Sequence, residues 1–107
     1  MRAEQLKGHM DGLLLAVLEQ GPLHGYAVIE ALRARSGGTL DLPSGTVYPA
    51  LHRMELGGLI QGDWSTVAGR RRRTYRLTRR GQKALGQERQ DWHTFAGAIG
   101  SLLGDRM

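Results

Sequence analysis

The sequence predicts a mainly α-helical chain that carries one small β-hairpin. Three segments before residue 57 repeat their apolar residues at helical spacing, and two short segments between residues 59 and 77 alternate apolar and polar residues. From residue 78 onward a narrow apolar stripe recurs at heptad spacing. A chain of 107 residues has room for one modest core. We therefore expect it to gain stability by oligomerising.

The first helix is predicted to support the core. Its apolar residues share one face: Met10, Leu13, Leu14, Val17 and Leu18. Asp11 fits an N-cap or a first-turn acid, and Gly21-Pro22 ends the helix. We expect this helix to be mostly buried and to hold no site.

The second helix is predicted from about His24 to Arg35, with Gly37-Gly38 as its end. His24 and Tyr26 put two hydrogen-bonding side chains at its N-terminus, where backbone N–H groups bind phosphate well. The alternative is that His24 only caps the helix while Tyr26 packs against the core. The sequence favours neither interpretation, and the two are compatible.

The third helix, in the segment SGTVYPALHRME, is the element that the other elements are predicted to support. Val47, Ala50, Leu51 and Met54 form its apolar stripe. The remaining face offers hydroxyls, an aromatic ring, an imidazole and a guanidinium, from Thr46, Tyr48, Pro49, His52 and Arg53. These groups suit phosphates and base edges in a groove and make no catalytic set.

The ends of the third helix are also predicted. Ser44 acts as its N-cap, Gly45 lets another backbone approach, and Gly57-Gly58 ends it. Pro49 is unusual, because proline inside a helix removes a backbone bond and costs about 3 kcal/mol. A start near Gly45 or Thr46 puts Pro49 close to the first turn, where the lost N–H matters least.

Two strands are predicted after the third helix, at Leu59–Ser65 and Thr74–Leu77, with a basic loop at Thr66–Arg73 between them. Trp64 is expected to lie in the core. A hairpin that follows a helix-turn-helix is called a wing. The order of elements therefore predicts a winged helix-turn-helix, which we assign to residues 1–77 as a DNA-binding unit.

Positive charge is concentrated near this hairpin. The formal net charge is +5, and seven of the 15 lysines and arginines lie between Arg70 and Arg80. No acidic residue occurs between Asp63 and Glu88. A charge run is usually a solvated surface, but consecutive arginines without an acid nearby fit a polyanion contact better. We expect Arg70, Arg71, Arg72 and Arg73 to follow phosphates or enter a minor groove.

Thr78 is predicted to cap a last helix of roughly 25 residues within 78–107. Its apolar residues follow heptad-like spacing: Leu85, Trp92, Phe95, Ile99 and Leu102. Such a seam predicts a two-fold homodimer formed through this helix. The alternative is that the helix folds back onto its own core.

Several classes of protein are excluded or disfavoured. The chain has no cysteine, and its four histidines lack ligand spacing, so no metal or cofactor is expected. No nucleophile–base or paired-carboxylate arrangement indicates an enzyme. No apolar run approaches the ~20 residues of a membrane span, and no secretory signal is recognisable, so a cytoplasmic protein is expected.

Three motifs resemble the PadR family of bacterial transcriptional regulators. They are LLLAVLEQGPLHGYAVIEAL at 13–32, LPSGTVYPALHRMELGGLI at 42–60 and GRRRRTYRLTRRG at 69–81. Their order and spacing match over nearly the whole chain, and the short C-terminus looks like the smaller subfamily with one terminal helix. The resemblance implies a homodimer that binds operator DNA. Most members repress, and many are released by a small molecule.

The resemblance also implies an effector region. In several small members, flat aromatic effectors bind at the dimer centre beside aromatic residues of the last helix. Trp92 stands where such a residue is expected, with Phe95 beside it. The alternative is that this aromatic pair is simple interface core, which is the commoner use of such spacing.

For DNA, we expect the helix from Ser44 to Arg53 to enter the major groove with its N-terminal end first. Ser44, Thr46 and Tyr48 would contact phosphates and nearby base edges, and His52 or Arg53 would donate to a guanine or the backbone. A dimer would present two such helices about one DNA turn apart, so the operator should be roughly palindromic.

A competing interpretation is a winged-helix module that contacts protein or RNA without sequence-specific DNA binding. The arginine run argues against pure protein contact. RNA more often requires exposed aromatic residues, which are only 6% of this chain.

Overall fold

A computed structural model describes residues 8–104 and contains seven elements in chain order: α1 (Met10–Leu18), β1 (Leu23–His24), α2 (Gly25–Arg35), α3 (Ser44–Leu56), β2 (Ile60–Val67), β3 (Arg70–Leu77) and α4 (Arg79–Leu103). The strands form an antiparallel sheet in the order β1-β3-β2. The predicted class, mainly α with a small β-hairpin, is confirmed. Residues 1–7 and 105–107, which belong to the two predicted units, lie outside the described residues.

The core lies where α1, α2 and α3 converge on the sheet and on the start of α4. The predicted stripe of α3 is confirmed, because Val47 and Leu51 are fully buried and Met54 is 1% exposed. Leu14 of α1 and Val28 of α2 are fully buried against it. Burial of each such side chain contributes roughly 1.5–3 kcal/mol, so this packing fixes how α3 is held.

Helix α3 begins one residue earlier than expected. Pro43 is the N-cap, and its carbonyl accepts from the backbone N–H groups of Thr46 at 3.0 Å and Val47 at 3.1 Å. Ser44 is therefore a helical residue, and its predicted role as N-cap is wrong. Pro49 becomes the sixth residue of the helix, beyond the first turn. The carbonyl that loses its partner is that of Gly45, which lies at the exposed start of the helix.

The hairpin is longer than expected, and its arginines lie on a strand. Strands β2 and β3 have eight residues each and pair from Ile60 with Leu77 to Val67 with Arg70. Only Ala68 and Gly69 form the turn, with φ of 52° and 77°. Two positive φ values match the twist of a tight hairpin. The predicted loop at Thr66–Arg73 is therefore wrong.

A third strand, β1, escaped prediction because two residues are too few to show alternation. Leu23 pairs with Tyr75 and His24 pairs with Thr74, antiparallel to β3. The pairing joins the start of α2 directly to the hairpin. It sets His24 next to the arginine-bearing strand.

Helix α4 begins as predicted. The Thr78 hydroxyl accepts from the backbone N–H of Gly81 at 3.0 Å and lies 2.6 Å from the Gly58 carbonyl, to which it donates. Leu85 is 3% exposed and belongs to the protomer's own core, so it has little surface left for the predicted dimer seam. The later seam residues are exposed. No helix among residues 8–104 is long and apolar enough to cross a membrane.

Candidate nucleic-acid interface

The N-terminus of α2 is built around His24 and Tyr26. His24 Nδ1 accepts from the backbone N–H of Ala27 at 3.3 Å. The ring therefore caps the helix, as one of the two interpretations predicted. Tyr26 is 57% exposed, so the alternative in which it packs against the core is wrong. Its ring is available at the surface beside the cap.

Gly25 lets α2 approach α3 closely. A Cβ atom at Gly25 would lie 2.9 Å from Cζ of Tyr48 and closer still to the ring edge. Only glycine leaves this space, and it lets the Tyr48 ring cross the first turn of α2. Tyr48 remains 42% exposed there. The His-Gly-Tyr sequence thus serves packing and presents polar groups at the same time.

A polar cleft of about 620 Å³ joins these residues to the hairpin. It is lined by His24, Gly25, Tyr26, Glu30, Tyr48, Arg70, Arg71, Arg72, Arg73 and Tyr75. Seven of the residues predicted for DNA contact therefore meet in one cleft. Ser44, Gly45, Thr46, Pro49, His52 and Arg53 are not part of its lining and lie elsewhere along α3.

The four arginines of β3 occupy different environments. Arg70 is exposed, and its guanidinium makes no hydrogen bond or ion pair to another described residue. The guanidinium of Arg71 lies 4.7 Å from the ring centre of Trp64. Arg72 Nη1 lies 3.0 Å from Nε2 of His24, and Arg73 forms an ion pair with Glu55. The run is therefore not a uniform row of free cations.

The Glu55–Arg73 pair connects α3 to the hairpin. The two side chains are 21% and 29% exposed, and Gly62 of β2 makes room for them. A Cβ atom there would lie 2.6 Å from Arg73 Nε and 2.9 Å from Glu55 Oε2. The hydrogen bond to Glu55 raises the pKa of Arg73. The expectation that no acid lies near the arginine run is wrong, because Glu55 comes from another element.

Trp64 and Tyr75 differ although they share one face of the hairpin. Burial raises the pKa of Tyr75, which is 7% exposed. Trp64 is 58% exposed, so its expected place in the core is wrong. The hairpin extends beyond the core at Trp64, and the ring is covered in part by Arg71 and by Arg73 at 5.2 Å. Such cation–π contacts contribute about 0.5–1 kcal/mol at exposed sites.

Arg53 is held by α1. Its guanidinium donates to both carboxylate oxygens of Asp11, at 3.0 Å and 2.8 Å. The hydrogen bond to Asp11 raises the pKa of Arg53. The face of α3 that points away from the core instead presents four exposed residues: Gly45, Pro49, His52 and Leu56. In this conformation His52, not Arg53, is the free nitrogen donor on that face.

A second, apolar groove lies on the other side of α1. It encloses about 890 Å³ and is lined chiefly by α1, the connection after α2, and α4. Trp92 and Phe95 contact each other with ring centres 5.8 Å apart, and the His9 ring meets Trp92 edge-on at 6.0 Å. Both α4 rings remain about half exposed. Arg89 donates to Glu19 at 2.8 Å and 2.6 Å and lowers the pKa of that carboxyl.

Within residues 8–104 no cluster of three or more histidine, aspartate or glutamate side chains is placed to hold a metal ion. The residues that sequence reasoning missed are Asp11, Gly25, Glu55 and Gly62. Gly25 and Glu55 stand inside the quoted motifs, as a glycine at a helix start and a carboxylate between apolar positions. Their partners lie in other elements, so no local pattern identifies the contacts.

Three helices, an antiparallel hairpin and a basic cleft between them define a winged helix-turn-helix protein. The chain belongs to the PadR-like family of transcriptional regulators, whose family model matches residues 14–87. Members of this family regulate transcription and are not enzymes. The predicted family and the prediction that the chain is not an enzyme are therefore confirmed.

Known proteins resemble the chain at several levels. A PadR family transcription regulator from hypervirulent Clostridium difficile is 32% identical, with a TM-score of 0.80 over 91% of this chain and 100% of that one. A transcriptional regulator from Mycobacterium tuberculosis is 48% identical over 46 residues, which are 43% of this chain and 43% of that protein. Bacillus subtilis PadR, solved in complex with operator DNA, is 22% identical with a TM-score of 0.67. That match covers 78% of this chain and 46% of PadR, and it shows the fold alone.

Proposed function

We propose that this chain is a homodimeric repressor that binds a roughly palindromic operator in double-stranded DNA and is released by a small-molecule effector. The observation that carries the proposal is the cleft where the arginines of β3 meet the start of α2 and Tyr48 of α3. Cationic and hydrogen-bonding groups from three elements converge there, as a phosphate backbone requires. A regulator acting on the chromosome would work in the cytoplasm.

In this proposal, the first two turns of α3 enter the major groove. Ser44, Gly45 and Pro49 are exposed, Thr46 is half-buried at the edge of the same surface, and Tyr48 faces the cleft. His52 is the donor best placed to reach a base edge, because Arg53 is bound to Asp11. Small residues at the front of the helix would let its backbone approach the DNA closely.

The wing would supply most of the affinity. Arg70 and Arg71 lie nearest the turn and would follow phosphates or enter the minor groove. Arg72, with His24 and Tyr26, would hold a phosphate beside α2. Arg73 would act differently, since its pair with Glu55 fixes the angle between the wing and α3.

Dimerisation is proposed through the second half of α4. Trp92, Phe95, Ile99 and Leu102 are 53%, 52%, 36% and 82% exposed and follow the predicted seam. Burying such a stripe against a second copy would remove apolar surface from water. We propose residues 1–77 as the DNA-binding unit and 78–107 as the dimerisation unit, although Gly81 and Leu85 are buried against the rest of the chain.

The effector is proposed to be a planar aromatic molecule beside Trp92 and Phe95. The apolar groove of about 890 Å³ and its half-exposed rings support this choice. Binding would be visible as quenching of Trp92 fluorescence. Because Trp64 also emits, a Trp64→Phe variant isolates the signal. No quenching across a diverse panel of aromatic compounds would count against an effector of this kind.

The relative with DNA supports the proposal by analogy of fold. Bacillus subtilis PadR was solved with operator DNA, and its winged-helix architecture is that of this chain. The identity is too low to transfer individual contacts. The contacts proposed above therefore depend on the cleft and exposed surfaces of this chain.

The test is selection of bound sequences from random duplex DNA at two salt concentrations, with the mass of the complex measured in solution. A repressor dimer predicts enrichment of a two-fold symmetric motif, two chains per duplex and affinity that falls steeply with salt. Salt-sensitive binding without an enriched motif would leave a basic winged-helix module that contacts RNA or protein.

A further inference from the structure

His24 makes two contacts that one imidazole cannot satisfy together. Its Nδ1 lies 3.3 Å from the backbone nitrogen of Ala27, whose N–H it accepts as the cap of α2. Its Nε2 lies 3.0 Å from Nη1 of Arg72 on β3. A backbone N–H and a guanidinium are both donors only. Both ring nitrogens of His24 therefore face donors.

Neutral imidazole carries one N–H and one lone pair. With the proton on Nε2, the cap of α2 forms, but Nε2–H faces an N–H of Arg72 with no acceptor between them. With the proton on Nδ1, Arg72 can donate to Nε2, but the cap is lost. An imidazolium accepts at neither nitrogen. Every protonation state leaves a donor without an acceptor.

One added acceptor removes this conflict. A phosphate oxygen that accepts from both Nε2–H of His24 and Arg72 would leave Nδ1 free to cap α2. The pair lines the cleft of about 620 Å³, with Tyr26 and Tyr48 beside it and Glu30 as the one acid in its lining. The conflict therefore lies where the cleft is open to an anion and rich in other donors.

We infer that His24 and Arg72 form a phosphodiester site whose occupation selects the Nε2–H tautomer of His24. The inference rests on the proposed function, because the ligand is the DNA backbone. Without DNA both tautomers are populated: in part of the molecules Nδ1 caps α2, and in the rest Arg72 donates to the Nε2 lone pair and this cap is lost. When a phosphate draws Arg72 away, the ring proton moves from Nδ1 to Nε2 through solvent. No net proton is taken up, and the start of α2 becomes ordered on binding.

The direct test is NMR of the full chain with 15N-labelled histidine, alone and with a mixed-sequence duplex of about two helical turns. A His24→Asn spectrum assigns the His24 signals among the four histidines. We expect a substantial Nδ1–H population in the free protein and only Nε2–H in the complex. An unchanged tautomer ratio, with saturation verified by fluorescence anisotropy, would overturn the inference and leave the proposed function standing. Absence of duplex binding would overturn both.

A parallel titration with inorganic phosphate at matched ionic strength separates the two sources of phosphate. Only the duplex should shift the tautomer at micromolar concentration. An equal shift with phosphate alone would assign the site to a free anion, and the DNA-backbone assignment would be wrong.

Affinity measurements supply the second test. Asparagine is a good N-cap residue but lacks a donor at the Nε2 position, so His24→Asn should preserve thermal stability. It should weaken duplex binding about fivefold to tenfold. Arg72→Gln should weaken it similarly, and the double variant should lose less than the product, because both groups hold one phosphate.

Arg70→Gln is the matched control, because Arg70 shares the strand and the cleft but does not contact His24. The fold-loss of duplex affinity caused by Arg70→Gln should multiply fully with the fold-loss caused by His24→Asn in the double variant. Two results would show that His24 and Arg72 do not share a phosphate. One is that the fold-losses of His24→Asn and Arg72→Gln also multiply fully, and the other is that His24→Asn binds the duplex as tightly as the wild type.

Discussion

Helix α3 is held on its two sides by ion pairs of different character. Toward the hairpin, Glu55 and Arg73 form a pair that is less than a third exposed, set in the space that Gly62 leaves. Toward α1, Arg53 and Asp11 form a bidentate pair that is 59% and 37% exposed. Exposed pairs contribute little to stability, whereas removing one partner of a sheltered pair leaves a charge without compensation.

This difference suggests two roles. The hairpin side fixes geometry, because Glu55–Arg73 ties the wing to the helix that is proposed to enter DNA. The α1 side holds the Arg53 cation near the proposed DNA-binding surface, and releasing it from an exposed pair has no large cost. The wing should therefore behave as a rigid part of the site, while Arg53 should be available to a competing phosphate.

The largest effect is expected at the close contact between α2 and α3, next to the hairpin side. Gly25→Ala should displace the Tyr48 ring, because the new Cβ would overlap it. Overpacking of this kind costs roughly 1–3 kcal/mol, and duplex affinity should also fall. Urea unfolding and anisotropy measure the two losses. Gly86→Ala is the control, since its Cβ would meet nothing within 4 Å and alanine favours helix.

A Gly25→Ala variant as stable as the wild type would show that Tyr48 moves at no cost. The tight approach would then not be what positions this ring.

Breaking the sheltered pair is expected to rank second. Glu55→Gln should destabilise the protein in urea unfolding, because Arg73 is left without its carboxylate in a partly sheltered site. The Glu55→Gln/Arg73→Gln double variant should be little worse than either single variant. Additive losses in this thermodynamic cycle would mean that the two side chains stabilise the fold independently.

The elements themselves follow from local signals. The apolar period of α3 and the cap at Thr78 are encoded within a few residues, so the sequence predicts both. The sequence predicts the start of α3 one residue too late, because Ser44 is a good cap by residue type whereas Pro43 has no side chain that can cap. The predicted position of the turn is wrong because alanine rarely adopts the left-handed conformation found at Ala68, whereas glycine adopts it readily at Gly69.

The site was harder to predict because its contacts are long-range. Residues 11 and 53 are 42 positions apart, and residues 24 and 72 are 48 apart. The sequence predicts Arg53 and Arg73 as DNA contacts. It does not show that Asp11 binds Arg53 or that Glu55 binds Arg73. Trp64 was placed in the core because an apolar residue on an alternating strand usually lies inside. At Trp64 the hairpin extends beyond the core, so the side chain is exposed.

The exposed pair tests the other half of the comparison. Asp11→Asn should change the free energy of unfolding by less than about 1 kcal/mol, as expected for an exposed pair. It should free Arg53 for a phosphate, tighten duplex binding and steepen the salt dependence by about one counterion. Anisotropy titrations at several salt concentrations measure this. An unchanged slope would show that Arg53 does not reach DNA even when released.

The smallest effect is expected at the second exposed pair of α1, where Glu19 accepts from Arg89 of α4. That hydrogen bond lowers the pKa of Glu19 below its usual value near 4.3. A lowered pKa in the folded state means that the carboxylate stabilises the fold above about pH 4.3 and loses this contribution as pH falls through the folded pKa. Thermal unfolding should therefore distinguish Glu19→Gln from the wild type slightly at pH 6, and the two should converge in acid.

Because the pair is exposed, high salt should reduce the difference at pH 6 as well. A difference that persists in both acid and salt would come from packing of the side chain against α4. In that case α1 would be joined to α4 by more than exposed charge, and the contrast between the two sides of α3 would not extend to α4.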